Sequence, residues 1–266
     1  MGLLDGKTAL VFGVANDHSI AWGISQAMHR EGAKLAFSYA SEALLRRVTP
    51  LAEKVDSEFV ERCDVSQDNE LEDLFGKVSR RFGMIDILVH CVAFANRDEL
   101  TGPYYATSRE GFRMALDISC YSFTAMVRHA LPIFNSGSSC LTLTYHGSQK
   151  AVPHYNVMGV AKAALESSVH YLAADLGPKG HRVNAISAGP IRTLAAAGVA
   201  GFKGMYREFA DQAPLRRHIT MQDVGNAAAY LCSDRASGIT GEVHYVDAGH
   251  NMIGLAVPKT SPLDNR

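Results

Sequence analysis

Short apolar runs alternate with longer segments of helical periodicity along almost the whole chain. In the intervening segments, apolar residues recur every three or four positions, as in the stripe Ile20, Ile24, Ala27 and Met28, and predict amphipathic helices. The pattern therefore predicts strands and helices in alternation. The predicted strands are 7–14, 34–39, 58–62, 85–89, 139–144, 182–186 and 242–246.

Strands and helices that alternate through short connections predict a single α/β domain. Such strands run parallel, with right-handed crossovers and helices on both faces of a doubly wound sheet of about seven strands. We expect this domain to occupy 1–257 and residues 258–266 to form a flexible tail. Open sheets of this kind bind ligands at the C-terminal ends of their strands. Five candidate residues fall there: Gly13, Asp64, Val92, Tyr145 and Thr193.

The stretch 145–162 carries the strongest chemical signal. Tyr145 ends the fifth strand, and Pro153 predicts the start of the next helix. That helix would place Tyr155, Met158 and Lys162 on one face over two turns. A nearby ammonium favours the charged form of a phenol, so the pair predicts a group that donates a proton or binds an oxyanion. The alternative is an ordinary helix that carries one tyrosine and one lysine.

The loop after the first strand is a candidate dinucleotide site. Gly13 leads through small residues into a helix whose N-terminal N–H groups would bind a pyrophosphate. The three-glycine fingerprint is incomplete, because Ser19 stands where a glycine is expected.

Two signals further along are ambiguous. Asp64 ends the third strand and suits either an adenine amino group or the cap of a helix from Gln67. Arg46 and Arg47 suit either a 2′-phosphate or a solvated helix face, and we favour the solvated face.

The segment after the sixth strand is unusually rich in small residues. Thr193 begins another helix and can bind phosphate or amide groups. The run 194–202 is apolar and interrupted by glycines, which predicts a mobile lid around 193–210 over an apolar substrate. A plain surface loop is the alternative.

Composition narrows the class of protein. A net charge of −1 gives no support to nucleic-acid binding, and no apolar run is long enough to span a membrane. The N-terminus lacks the pattern of a signal peptide, and five scattered cysteines are typical of a reduced cytoplasmic protein. Histidine and cysteine spacings match no metal site, so we expect none.

With these motifs in place, the sequence resembles the short-chain dehydrogenase/reductase superfamily, and within it the bacterial NADH-dependent enoyl-[acyl-carrier-protein] reductases. The resemblance runs from Gly6 to Gly249. The wider superfamily pairs its tyrosine and lysine at i and i+4, where this chain has Gly159. The spacing Tyr155-x6-Lys162 with Tyr145 upstream is the discriminating feature. The other specific marks are Gly13-x5-Ser-Ile-Ala-x-Gly23 and Gly189-Pro-Ile-Arg-Thr-Leu-Ala-Ala196.

The resemblance implies a Rossmann-like fold, an NADH site and a role for each matching residue. Tyr155 would bind the thioester oxygen with help from Tyr145, and Lys162 would bind the nicotinamide ribose. The cofactor residues implied are Gly13, Ser19, Ile20, Ala40, Asp64, Val65, Val92, Lys162, Ile191, Thr193 and Ala195. The substrate residues implied are Ala95, Tyr155, Met158, Val199 and Phe202.

The implied reaction is hydride transfer from NADH to the β-carbon of a trans-2-enoyl thioester on acyl carrier protein, in a cytoplasmic homotetramer. Two departures bear on this. Ala40 replaces a glutamine that many relatives carry near the adenosine ribose, although we still expect NADH rather than NADPH. Only Lys203 and Arg207 are basic around the lid, which weakens carrier-protein docking there. The alternatives are a 3-ketoacyl or other carbonyl reductase, and a non-catalytic nucleotide-binding protein.

Overall fold

A computed structural model describes residues 2–197 and 201–255, without the side chains of Ala195, Ala197 and Lys203. Over these residues the chain forms seven strands and nine α-helices. The strands are β1 (Thr8–Phe12), β2 (Lys34–Tyr39), β3 (Val60–Arg62), β4 (Ile85–His90), β5 (Phe134–Thr144), β6 (Arg182–Ala188) and β7 (Val243–Val246). The helices are α1 (Ile20–Arg30), α2 (Glu42–Glu53), α3 (Asp68–Phe82), α4 (Arg109–Leu116), α5 (Ser122–Ala130), α6 (Asn156–Leu176), α7 (Leu194–Ala197), α8 (Phe202–Gln212) and α9 (Met221–Cys232).

The seven strands form one parallel sheet in the order β3-β2-β1-β4-β5-β6-β7. The order reverses between β1 and β4, which leaves a crevice at the C-terminal ends of the strands. This topology confirms the predicted Rossmann-like, doubly wound fold. The predicted tail, 258–266, lies outside the described residues.

Alternating strand residues build a separate apolar core on each face of the sheet. In β1, Ala9 and Val11 pack with α1, α2 and α9 on one face. Leu10 and Phe12 pack with α3, α5 and α6 on the other. Both faces of the strands are therefore buried, as their continuous apolar runs predict. Among the helices of the described part, none has the length and apolar character needed to cross a membrane.

Residues 108–131 have the apolar periodicity of one long helix, but the helix that they form is interrupted. It consists of α4 and α5, joined by a π-helical turn at Asp117–Tyr121. The wider turn brings the Ser119 hydroxyl to the backbone of Phe94, where it accepts a hydrogen bond from the N–H at 2.9 Å. Apolar periodicity does not reveal such a turn, because the stripe continues on both sides of it.

Two predicted boundaries also differ from the structure. β5 begins at Phe134 rather than at 139, with an irregularity in its pairing with β4. Helix α6 begins at Asn156, so Tyr155 is its N-cap residue rather than a member of its first turn. The backbone of His154 (φ 62°) and Asn156 (φ 40°) turns sharply on either side of Tyr155, which prevents the helix from starting at Pro153.

Candidate active site

A cavity of about 370 Å³ opens at the C-terminal ends of β4, β5 and β6, beneath α8. Nine of the predicted site residues line it, although they come from six separate parts of the chain. These nine are Ile20, Ala95, Tyr145, Tyr155, Met158, Lys162, Ile191, Thr193 and Phe202. The remaining wall is mostly apolar, with Phe94, Leu100 and Met205 among its members. The fold therefore brings these nine of the predicted residues to one cavity.

The two tyrosines are held ring against ring. Their centroids lie 5.0 Å apart with the planes at 71°. A side chain at Gly147 would stand 2.5 Å from the Tyr155 ring, so the ring packs directly on that glycine. Gly159 is equally constrained, because a Cβ there would lie 2.6 Å from the carbonyl oxygen of Gly147. The turn 146–148 and the first turns of α6 thus meet without intervening side chains.

Lys162 is a buried cation beside these tyrosines. Only 5% of its surface is exposed, and its ammonium donates a hydrogen bond to the Leu143 carbonyl at 2.7 Å. Within the described residues, no carboxylate lies within ion-pair distance of it. Burial lowers the pKa of Lys162 to about 8, against a smaller opposing effect of Cys91, Cys120 and Glu166.

The predicted direction of the pKa shift of Tyr155 is wrong. We expected the lysine to favour the phenolate, but burial raises the pKa of Tyr155 well above its ordinary value, and Tyr145 and Glu166 raise it further. Burial likewise raises the pKa of Tyr145. Both phenols are consequently neutral hydrogen-bond donors at physiological pH, suited to an oxygen on which charge develops.

Neutral groups surround Lys162 on the β4 side. His90 is fully buried, with Nδ1 2.8 Å from the Thr142 hydroxyl and Nε2 2.9 Å from the Ser122 hydroxyl. Burial, followed by the charge of Lys162, lowers the pKa of His90 to about 3. Burial also raises the pKa of Cys91 to about 12. Neither side chain changes its charge in the range where Lys162 titrates.

Sequence reasoning missed Ser119, which holds the loop after β4. Its hydroxyl accepts from the N–H of Phe94 and donates to the carbonyl of the same residue at 3.1 Å. It also approaches the Met158 sulfur at 3.7 Å. Serine in an apolar helical stripe is a weak signal, and only the π-helical turn gives it this position.

The loop before α1 suits a dinucleotide phosphate. The Ser19 hydroxyl accepts from the N–H groups of Ala15 and Asn16 at 3.0 and 2.9 Å, so it shapes the loop and does not cap the helix. No acidic residue lies in the first turn of α1. Gly13 has φ 95°, and a side chain there would meet the Cys91 carbonyl at 2.1 Å. The helix N-terminus therefore faces the crevice with open N–H groups, as an anion requires.

The other predicted cofactor residues lie along the same sheet edge, outside the cavity lining. Ala40 follows β2, Asp64 and Val65 follow β3, and Val92 follows β4. Asp64 accepts hydrogen bonds from the N–H and hydroxyl of Ser66, at 3.0 and 2.8 Å, so the alternative that it caps α3 is wrong.

Thr193 caps the short helix α7, where its hydroxyl accepts from the N–H of Ala196 at 3.0 Å. Ala195 belongs to α7, but its side chain is not described. Val199 lies outside the described residues. The described part of the predicted lid is helical, since α8 begins at Phe202.

A second cavity, of about 510 Å³, adjoins the first. The two share six lining residues, among them Tyr145 and Met205, and the tyrosine hydroxyl approaches the methionine sulfur at 3.6 Å. The second cavity is more polar than the first, with six charged or imidazole side chains in its wall: His146, Lys150, His154, Glu208, Asp247 and His250.

A parallel sheet of this order, an uncapped helix N-terminus after the first strand and a tyrosine–lysine pair in the cavity at the strand ends define a nucleotide-dependent reductase of the short-chain type. The sequence profile of a family described as "Enoyl-(Acyl carrier protein) reductase" matches residues 13–251. The chain belongs to this enoyl-(acyl carrier protein) reductase family.

Individual relatives match this chain over almost its full length. "Enoyl-[acyl-carrier-protein] reductase [NADH] 1" of Rhizobium meliloti is 50% identical over 254 residues, which cover 96% of this chain and 93% of that protein. A second relative, "Enoyl-[acyl-carrier-protein] reductase [NADH] FabI" of Bacillus cereus, is 52% identical over 256 residues, which cover 96% of this chain and all of that protein.

Solved structures extend the likeness to three dimensions. The crystal structure of the NADH-dependent enoyl-[acyl-carrier-protein] reductase of Aquifex aeolicus superposes with a TM-score of 0.93 at 49% identity, covering 96% of this chain and 100% of that one. The Bacillus cereus enoyl-acyl carrier protein reductase, solved with NADP+ and indole naphthyridinone, gives a TM-score of 0.94 at 52% identity over the same shares.

Proposed function

We propose that this chain is an NADH-dependent enoyl-[acyl-carrier-protein] reductase, an oxidoreductase of fatty acid synthesis that acts on a carbon–carbon double bond. The observation that carries the proposal is the position of Tyr155 and Lys162, seven residues apart, in the wall of one apolar cavity. The carbonyl reductase alternative needs a lysine at position 159. The contact between Gly159 and the Gly147 carbonyl leaves no room for one.

The residues at the sheet edge fit a dinucleotide. We assign the pyrophosphate to the N-terminus of α1, with Ser19 and Ile20 beside it, because the helix terminus offers N–H groups and no carboxylate. Lys162 and Thr193 face the same cavity, where a charged amine and a hydroxyl suit a ribose and an amide. Further along the edge, Ala40, Asp64, Val65 and Val92 would flank the adenosine half. When bound, NADH supplies the hydride.

The protein's part in the reaction follows from the neutral phenols. Reduction at the β-carbon moves negative charge onto the thioester oxygen, and the Tyr155 hydroxyl donates a hydrogen bond to that oxygen. Because its pKa is raised, Tyr155 stabilises the enolate without losing its proton at physiological pH. Tyr145 packs against its ring and supports its orientation. The enolate then takes a proton from solvent at the α-carbon, which completes the reduction of the double bond.

The apolar wall suits the acyl chain. Ala95, Met158 and Phe202 line the cavity that contains the tyrosine–lysine pair, and their apolar surfaces suit a hydrocarbon chain. We infer that the segment 193–210 covers the substrate, since Thr193 and Phe202 belong to the same wall.

The substrate implies a partner, acyl carrier protein, which carries the enoyl chain. We further propose that the enzyme is a cytoplasmic homotetramer. Its cytoplasmic location is supported by five free cysteines within the described residues, as expected of a reducing compartment. The tetramer is what the sequence resemblance implies.

The test measures loss of nicotinamide absorbance with purified protein, using a short trans-2-enoyl thioester beside a 3-ketoacyl thioester, with NADH and with NADPH. We expect oxidation of NADH with the enoyl substrate alone. Oxidation with the keto substrate alone would overturn the proposal in favour of a carbonyl reductase.

The matched variant is Tyr155→Phe, which keeps the ring packing and removes the hydroxyl. Loss of one oxyanion donor should lower kcat by about 10²–10³-fold, while NADH binding measured by fluorescence titration stays unchanged. Unchanged turnover in this variant would contradict the role of the hydroxyl.

A further inference from the structure

Helix α6 carries a second buried charged side chain that the reaction outlined above does not use. Glu166 lies one helical turn after Lys162 and is 9% exposed. A buried carboxylate is costly unless hydrogen bonds satisfy it. Here one oxygen, Oε1, accepts two of them, from the Thr144 hydroxyl at 2.6 Å and from the Ser148 hydroxyl at 2.5 Å.

Both donors are next to the groups that form the active site. Thr144 ends β5 and immediately precedes Tyr145. Ser148 follows Gly147, on which the Tyr155 ring packs, and its N–H donates to the Tyr145 carbonyl at 2.9 Å. Since Glu166 belongs to the same helix as Lys162, one carboxylate ties the strand end, the turn and the helix together.

The charge of Glu166 also reaches several titratable neighbours. It opposes the effect of burial on the pKa of Lys162, and it raises the pKa of Tyr155. On the turn and on β7 it acts in the same direction on His146 and Tyr245. Cys91, Cys120 and His90 are the other titratable groups that act on or respond to Lys162.

We propose that Glu166 is a positioning residue for the reaction: through Thr144 and Ser148 it fixes Tyr145 and Tyr155 relative to Lys162. The kinetic test of this inference rests on the proposed function, whereas its structural test rests on the hydrogen bonds alone. This positioning role differs from a general packing role, because both hydrogen bonds are donated by residues that border the tyrosines.

Three variants separate the hydrogen bonds from the charge. Glu166→Gln keeps an oxygen that can accept from both hydroxyls and removes the charge. Glu166→Leu removes both, and the double variant Thr144→Val/Ser148→Ala removes the donors alone. Ser57→Ala is the matched control, since its buried hydroxyl donates to the Leu35 carbonyl at 2.6 Å, remote from the site.

Small displacements of reacting groups greatly reduce the rate of the chemical step. Glu166→Leu and the double variant should therefore lower kcat by roughly 10- to 100-fold with little change in the KM for NADH. Glu166→Gln should retain most of kcat but shift the alkaline limb of its pH profile to lower pH, because the pKa of Lys162 loses an upward influence. Ser57→Ala should lower Tm and leave kcat unchanged.

A wild-type kcat in the double variant would overturn the proposal. A wild-type kcat in Glu166→Leu, together with an unshifted pH profile of that variant, would also overturn it. If Glu166→Leu does not fold, the Gln and double variants still decide the question. A wild-type enzyme that reduces no enoyl thioester would refute the proposed function instead. Crystal structures of the folded variants then test positioning alone, through the 5.0 Å separation of the tyrosine rings.

Discussion

Lys162 shows how burial sets the chemistry of a single residue. In water a lysine is charged up to about pH 10, yet here its pKa falls to about 8 because the ammonium has one carbonyl partner and little solvent. The site therefore works close to the pH at which this charge disappears.

This shift predicts the pH dependence of the enzyme. Lys162 is protonated below its pKa, so kcat/KM should be level near neutral pH and fall by about tenfold per unit above pH ~8. His90, with its pKa near 3, and Cys91, with its pKa near 12, do not titrate there. The measurement is a pH profile under saturating NADH.

The control is Lys162→Arg, whose guanidinium stays charged throughout this range. Its activity will be lower because the longer group fits the cavity poorly, but the break near pH 8 should vanish. A break that persists in this variant would assign the titration to another group.

At the scale of secondary structure elements, the contact between α6 and the turn 146–148 defines the site. Gly147 and Gly159 allow the two backbones to meet, and the Tyr155 ring fills the angle between them. The spacing of seven residues between tyrosine and lysine follows from this contact, since position 159 faces a carbonyl oxygen rather than the cavity.

A side chain at position 159 should consequently disrupt the site. In Gly159→Ala the new Cβ would stand 2.6 Å from the Gly147 carbonyl, so the turn has to move away and carry the Tyr155 ring with it. We expect kcat to fall by at least about tenfold, since displaced reacting groups lose alignment. Steady-state kinetics beside a thermal melt measure this.

Gly204→Ala is the control for this substitution, because a Cβ at that helical position meets no atom within 4 Å. Full activity in Gly159→Ala would show that the turn adapts, and would remove the steric argument against a lysine there.

These elements also show what sequence can predict. The apolar run that ends at Tyr145 and the tyrosine–lysine spacing are local patterns. They placed Tyr145 directly after β5 and Lys162 on α6, where the structure has both. Ser119 and Glu166 gave no comparable signal, because their roles depend on contacts with Phe94, Thr144 and Ser148 that exist only after folding. The predicted direction of the Tyr155 pKa shift was wrong for the same reason: burial, which depends on the fold, raises this pKa, and Tyr145 and Glu166 raise it further.

At the scale of the whole molecule, α9 packs against α1, the helix whose N-terminus is the proposed phosphate site. It packs on α1 backbone to backbone, since a Cβ at Gly225 would lie 2.5 Å from the Gly23 carbonyl. A hydrogen bond of 2.7 Å between Arg30 and Asn226 joins the same two helices. The helix to whose N-terminus we assign the pyrophosphate is thus held by its contact with α9.

Gly225→Ala should separate the two helices and destabilise the fold by about 1–3 kcal/mol, as overpacking does. It should also weaken NADH binding, because α1 shifts relative to the crevice. Gly76→Ala, within α3, is the control: its Cβ meets only the end of Arg80 at 3.5 Å, and helix propensity predicts a gain of about 0.5–1 kcal/mol. Urea denaturation and NADH titration measure both effects, and an equal Kd in the two variants would refute the coupling.

The close approach of Gly147 and Gly159 has an evolutionary consequence. Moving the lysine from position 162 to position 159 would require a new path for the turn, a new seat for the Tyr155 ring and the loss of a buried cation, all together. Each change alone is expected to lower activity, so a series of single substitutions passes through less active intermediates. On this geometry, the enoyl and carbonyl arrangements of the short-chain fold are separated by such intermediates, and selection for activity opposes the change from one to the other.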